Sequence, residues 1–183
     1  MYAFDVAATH WINGWAGRSA VADFLMVWVS AAAVPAMVLA VAGQWWVPGE
    51  RRHTRHVLVT SGASFLLGLA LNQAIVLFIH RLRPYDGGVT SLLIERSTDF
   101  SFPSDHATAA FAIAASFLLS GMKRRGIVLL AVALLIAISR VYVGIHYASD
   151  VLGGAATGIA AAILARAVYG EGTRVDRFVT GIL

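Results

Sequence analysis

Arg83, Ser104, His106, Arg140, His146 and Asp150 sit in three short polar stretches, 80–84, 101–106 and 139–150, of a chain that is otherwise strongly apolar. Each contributes a group that phosphate chemistry requires. The two arginines offer planar, permanently charged donor forks that match phosphate oxygens. Pro103 suits the opening of a helix, and Ser104 with the free N–H groups around it would form an anion site there. His106 and His146 can each attack phosphorus or move a proton near neutral pH. Asp150 follows His146 by four residues, so on a helix it would share a face with it, fix its tautomer and stabilise its cation. This set describes a phosphoryl-transfer site that works by positioning and charge stabilisation, with no metal or cofactor expected.

The elements that must hold these groups follow from composition. Of the 183 residues, 58% are hydrophobic and 13% are charged, against about a quarter charged in an average soluble domain. A soluble domain of this length could not hide so much apolar surface, so lipid is the expected solvent. There are no cysteines, which excludes disulfides and thiolate metal sites. The net charge of +4 is modest and its basic residues cluster between apolar runs, which argues for topology control and against nucleic-acid binding. The N-terminus lacks the basic n-region of a cleaved signal.

Five apolar segments lie near 20–44, 57–79, 107–121, 126–143 and 148–168, each close to the roughly 20 residues a spanning helix needs. The third reaches that length only with its polar approach at 103–106. Ahead of them, Phe4, Val6, Trp11, Ile12 and Trp15 alternate with polar neighbours, as in an amphipathic helix lying in the interface. The expected fold is an all-α polytopic membrane bundle of five spanning helices plus this interfacial helix, with a count of six as the alternative. It forms a single domain over 1–183: interfacial helix 1–19, catalytic core 20–168 and cytoplasmic tail 169–183. Gly153, Gly154 and Gly158 should allow close helix contact in the last span.

Placing the 50–56 connection, the 123–125 turn and the C-terminal tail on one side, with Arg166 at the adjoining end of the last span, puts nine of the 14 basic residues there. The positive-inside rule makes that side cytoplasmic. The 81–102 loop and the 140–150 turn then share the outer face, so every candidate site residue lands on one side of the membrane.

The three stretches resemble the motifs of the type 2 phosphatidic acid phosphatase superfamily: Lys-x6-Arg-Pro, Pro-Ser-Gly-His and Ser-Arg-x5-His-x3-Asp. Here they read Arg83-Pro84, Pro103-Ser104-Asp105-His106 and Ser139-Arg140-x5-His146-x3-Asp150. Two positions depart from the pattern. Val76 stands where the first-motif lysine would fall, and Asp105 replaces glycine. Both departures are similar to the bacitracin-resistance type of undecaprenyl-diphosphatase. The resemblance implies a multi-pass protein of the bacterial cell membrane, with its site on the extracytoplasmic face. It would hydrolyse undecaprenyl diphosphate to the monophosphate and phosphate, recycling the lipid carrier for peptidoglycan synthesis. His146 would be the nucleophile that forms a phosphohistidine, Asp150 its orienter and His106 the acid and then the base. Arg83, Ser104 and Arg140 would bind the phosphoryl group. Arg81 and Asp105 are further candidates for substrate contact, and Arg81 or His80 could replace the missing lysine. Asn72, Val76, His80 and Arg83 would lie on one helical face.

Other readings remain at this point. Another lipid phosphate, such as phosphatidylglycerol phosphate, phosphatidate or a sugar-phosphate prenyl lipid, is an alternative substrate. A transporter would spread polar groups through the membrane depth, whereas here they gather at one boundary. The vanadium haloperoxidases resemble the same constellation but are soluble, which the hydropathy rejects. His10, His53 and His56 read as structural hydrogen bonders, Asn72 and Gln73 as ties between helices, and Arg81 equally as a headgroup contact.

Overall fold

A computed structural model describes residues 2–49 and 51–182. Among these residues seven α-helices follow in order: α1 (Tyr2–Asn13), α2 (Ala20–Ala42), α3 (Arg51–Val76), α4 (Asp105–Leu119), α5 (Lys123–Tyr142), α6 (Ala148–Val168) and α7 (Arg174–Thr180). A 3-10 turn, Gly43–Trp46, closes α2. There is no strand among the described residues, as the all-α expectation required.

Helices α2, α3, α5 and α6 are long and apolar enough to cross a membrane. The expected third span is different. Helix α4 has 15 residues, about 22 Å of rise, short of the roughly 30 Å hydrocarbon thickness. Its surroundings explain the difference: α4 packs against α3, α5 and α6, and Ala107, Ala110, Ala112, Ala114 and Phe117 are fully buried. It is the core strut of the bundle, and its alanines let three neighbours approach. Exposed apolar bulk sits elsewhere, on Phe24, Leu25 and Trp28 of α2, Ile127 and Val128 of α5, and Leu152 and Ile163 of α6.

The second span also departs from expectation at both ends. Helix α3 begins at Arg51 and stops at Val76, so residues 77–79 start the loop. The helical face drawn through Asn72, Val76, His80 and Arg83 therefore ends at Val76. His80 instead lies exposed against the ring of Phe100, with centroids 4.6 Å apart.

Small residues bring α4 and α6 together. A Cβ on Gly154 would collide with the carbonyl oxygen of Ser104, and one on Gly158 with the backbone of Thr108 and Ala112. Between α5 and α6 the chain turns through Gly144 at φ +83°, a conformation glycine adopts at little cost. A side chain there would also strike the Ser91 carbonyl.

The two ends of the bundle carry different polar work. At one end His56 hydrogen-bonds Asp176 at 2.8 Å, and His53 reaches Glu171 and the Ser120 carbonyl. These contacts dock the C-terminal segment on α3, consistent with the structural reading of both histidines. The other end gathers the long loop, the α5–α6 turn and α1. There Asn13 hydrogen-bonds the Ser91 and Tyr142 carbonyls, and Thr9 accepts the Ala148 N–H. Exposed Phe4 and Trp11 leave α1 an apolar outer face, and exposed Trp15 continues it just beyond the helix, the pattern of an interfacial helix.

Candidate active site

Five separate elements line one cavity of about 610 Å³, whose wall holds Arg83, Asp105, His106, Arg140 and His146 of the predicted set, while Ser104, Asp150 and Arg81 stand outside that wall. The end of α3 supplies Gln73 and Val76, the loop supplies Arg83, and the start of α4 supplies Asp105 and His106. The last turn of α5 supplies Arg140, and the turn beyond it supplies His146. Two cations and two imidazoles therefore face one space.

Each cation is held by groups that leave donors over. Arg83 is buried and donates from Nε to the Asp99 carbonyl at 2.9 Å, and from its two terminal nitrogens to Ile145 and Phe100 carbonyls. It thus pins the loop to the α5–α6 turn while lining the cavity. Arg140 donates to Ser30 Oγ of α2 at 2.6 Å, and its Nε has no hydrogen-bond partner among the described residues. A buried, unspent guanidinium donor is costly unless a ligand or a water meets it.

Ser104 shows the same economy of partners. It is the N-cap of α4, yet its side chain makes no capping bond and its buried Oγ has no partner among the described residues. Serine at this position ordinarily caps its own helix. Its N–H is engaged, donating to the Asp150 carbonyl at 3.0 Å. The free N–H groups of the first turn of α4 and the serine hydroxyl together suit an anion.

His146 is not on a helix. It precedes Tyr147, the N-cap of α6, and Asp150 is the third residue of that helix. The same-face argument from sequence is thus replaced by a cap: Asp150 Oδ2 accepts the Tyr147 N–H at 2.8 Å and stands 3.6 Å from His146 Nδ1. The nearer partner of Nδ1 is the Ser101 carbonyl at 2.8 Å. An acceptor there requires Nδ1 to carry the hydrogen, which leaves the Nε2 lone pair available. Ser101 Oγ donates to Asp150 Oδ2 at 2.5 Å, so one serine grips both members of the pair. Burial pushes the His146 imidazole below its ordinary range, opposed by Asp150 and reinforced by Arg140 and Arg83. A neutral, nucleophilic ring results at neutral pH.

Arg81 is not on the cavity wall. Its guanidinium donates to Asp150 Oδ1 at 2.7 Å, Ser149 Oγ at 2.6 Å and Asp5 Oδ2 at 2.5 Å, and lies 3.8 Å from the Tyr147 ring centroid. The expectation that it replaces the missing lysine or contacts headgroups gives way to an internal ion pair. Asp105 lines the cavity, and its Oδ1 accepts from Asn72 Nδ2 at 2.7 Å. Asn72 also reaches Thr108 Oγ1, tying α3 to α4 as expected, whereas Gln73 turns to the cavity.

Sequence reasoning passed over Ser101 and Asp5. Asp5 carried a signal, as the sole acidic residue of the first 19 in a helix whose interfacial reading calls for basic ones. Ser101 carried none, because its carbonyl does half of its work.

The model of the PAP2 superfamily matches residues 57–174, which include every one of these groups except Asp5 and Ser30. The chain belongs to the PAP2 superfamily. It is 36% identical over 142 residues to the undecaprenyl-diphosphatase BcrC of Bacillus subtilis, covering 78% of this chain and 72% of that protein. It is 33% identical over 115 residues to an undecaprenyl-diphosphatase of Sulfolobus acidocaldarius, covering 60% and 56%. Among solved structures, the transmembrane PAP2-type phosphatidylglycerolphosphate phosphatase of Bacillus subtilis superposes with a TM-score of 0.66 at 26% identity. That match covers 94% of this chain and 88% of the other. The chain is accordingly a phosphatase with several apolar helices of membrane type.

Proposed function

We propose that this phosphatase hydrolyses undecaprenyl diphosphate to undecaprenyl phosphate and inorganic phosphate. The observation that carries the reading is the convergence of His106, His146, Arg83 and Arg140 on one cavity at the end of apolar helices. Likeness to two undecaprenyl-diphosphatases supports the substrate. Val76 and Asp105 in the wall support it further, since this site meets its ligand with one cation fewer and one acid more than the general motif.

In the proposed reaction, His146 Nε2 attacks the terminal phosphorus while the bond to the bridging oxygen breaks. His106 gives that oxygen its proton, and undecaprenyl phosphate leaves. The now neutral His106 takes a proton from water, whose oxygen attacks the phosphohistidine; the P–N bond breaks, phosphate departs and His146 returns to its neutral form. Arg83, Arg140 and the Ser104 corner of α4 meet the charge on the transferred group, and Asp150 steadies the His146 cation. No metal takes part in these steps. The prenyl tail lies in the bilayer among the spanning helices, and α4, short but enclosed by its neighbours, completes a fifth crossing together with its polar approach at 103–104.

The nine-to-five division of basic residues supports an extracytoplasmic site in the bacterial cell membrane, with the C-terminal segment cytoplasmic. Product would then be released for recycling into peptidoglycan synthesis.

A second reading is a lipid monophosphatase, favoured by the structural likeness to the phosphatidylglycerolphosphate phosphatase. One experiment separates them. Purified protein with EDTA should release phosphate from isoprenyl diphosphates faster than from phosphatidylglycerol phosphate or phosphatidate, and His146→Ala should abolish release. Full activity in that variant would sink the mechanism; preference for a monophosphate would replace the substrate.

A further inference from the structure

Asp150 is completely buried, and its charge is answered from three sides: Ser101 Oγ and the Tyr147 N–H on one oxygen, Arg81 on the other. A cation paired with Asp150 alone would cancel the negative charge that His146 needs beside it. Arg81 is not so paired. Its second terminal nitrogen donates to Asp5 of α1, and Ser149 joins the same knot, its N–H donating to Asp5 Oδ1 at 2.9 Å and its hydroxyl to Oδ2 at 2.6 Å. One cation thus serves two carboxylates.

We propose that Asp5 is a positioning residue of the phosphatase reaction: by sharing Arg81 it keeps the Asp5–Arg81–Asp150 group net negative behind His146. The proposal rests on the reading of His146 as nucleophile. It gives α1 a part in the chemistry, through a contact made 69 residues from Asp150 in one step and 76 in the next.

The neighbours of each group bear on the sign. His146 faces Asp150 from α6, Arg140 from α5, Arg83 from the loop and His106 from α4, with Asp105 at the same cavity. Arg81 faces Asp5, Asp150 and Tyr147, and Tyr147 in turn faces Tyr2 of α1. The nearby charges on the His146 side are thus largely cationic, so the negative knot is what favours its imidazolium. Burial opposes ionisation of Asp5, but hydrogen bonds from Arg81 and Ser149 outweigh it and hold the carboxyl below its ordinary range. Asp5 is therefore charged at neutral pH. It is also not the sole anchor of α1, because Thr9 and Asn13 make their own contacts.

The test is the pH profile of kcat/KM for the full chain in liposomes, with an isoprenyl diphosphate as substrate. Asp5→Asn removes one negative charge, so the acid limb should move down by about half a pH unit or more. Its kcat should fall about tenfold with KM changed less than twofold. Asp5→Glu should return the limb to its original position. Arg81→Gln makes the knot more negative and should move the limb up, an opposite sign that no loss of fold mimics and that decides the matter if Asp5→Asn cannot be recovered folded. Thr9→Val loosens α1 without touching charge and should leave the limb in place. An unmoved limb in Asp5→Asn, a downward shift in Arg81→Gln, or a shift in Thr9→Val equal to that of Asp5→Asn would overturn the proposal. His146→Ala, run alongside, reports on the nucleophile itself: its activity would overturn the mechanism, whereas the Asp5 outcomes leave that reading standing.

Discussion

The ring Nδ1 of His146 lies 2.8 Å from the main-chain oxygen of Ser101. The carboxylate four residues on, which a helical reading makes the orienter, is 3.6 Å away and reaches His146 chiefly as charge. Ser101 joins the two, because its hydroxyl donates to Asp150. Orientation of the proposed nucleophile and compensation of its cation are thus divided between a backbone oxygen and a buried acid.

Ser101→Ala keeps the carbonyl and deletes the hydroxyl, so the ring should stay oriented while Asp150 loses one of three supports. Its kcat for phosphate release should fall about tenfold. Asp150→Asn removes the charge itself and should cost on the order of 10³ to 10⁴ in kcat, as at other carboxylate-supported histidines. Single-turnover phosphate release measures both, and equal effects would contradict the division of labour.

Gly154→Ala would press a methyl group on the Ser104 carbonyl and Thr108 Oγ1. Overpacking of this kind costs about 1–3 kcal/mol, and the atom displaced belongs to the residue that opens the proposed anion site. Both Tm and activity should drop. Gly62→Ala is the control: a Cβ there meets nothing within 4 Å, and replacing a helical glycine contributes about 0.5–1 kcal/mol. Its Tm should hold or rise with activity unchanged.

Val76 ends α3 on the cavity wall, and Asp105 stands in the same wall. Val76→Lys should therefore change the ratio of kcat/KM between lipid diphosphates and monophosphates by at least several-fold without abolishing turnover. Asp105→Gly should shift the same ratio, and it also frees Asn72 Nδ2 from its 2.7 Å bond. A substrate panel assayed in parallel reads both; unchanged ratios would mean that neither position faces the distinguishing phosphate.

Acid should release the C-terminal helix first at Asp176. Burial raises this carboxyl, but the Gly172 N–H, His56 and Tyr169 outweigh burial and hold it below its ordinary range. A depressed folded value means the stabilisation is complete above the unfolded carboxylate range and is lost as pH falls through the folded value. Amide exchange in α7 should accelerate below about pH 4, and Asp176→Asn should show that faster exchange already at pH 7.

Much of the proposed catalytic set was legible because its chemistry is written in residue types. Arg83, His106, Arg140 and His146 could be chosen as polar groups stranded beside apolar helices, where each is expensive unless used, and all four face one cavity. The apolar segments were legible for the same reason, as lipid selects for length and hydropathy. Limits appeared where neighbours decide. Helix α4 could be short because three helices enclose it, a fact its own 15 residues do not state.

The sequence by itself determined that the protein is all-α and apolar enough for a membrane, which residue types could handle phosphate, and the order in which they occur. The tertiary structure alone decided who holds whom. Arg81 left the substrate list because Asp5, Ser149 and Asp150 meet around it, and His146 found its orienter in a carbonyl that any residue would supply. Period and composition act along the chain, so sequence reveals them. A hydrogen bond between Ser149 and Asp5, 144 residues apart, exists only once packing has brought the start of α6 against α1.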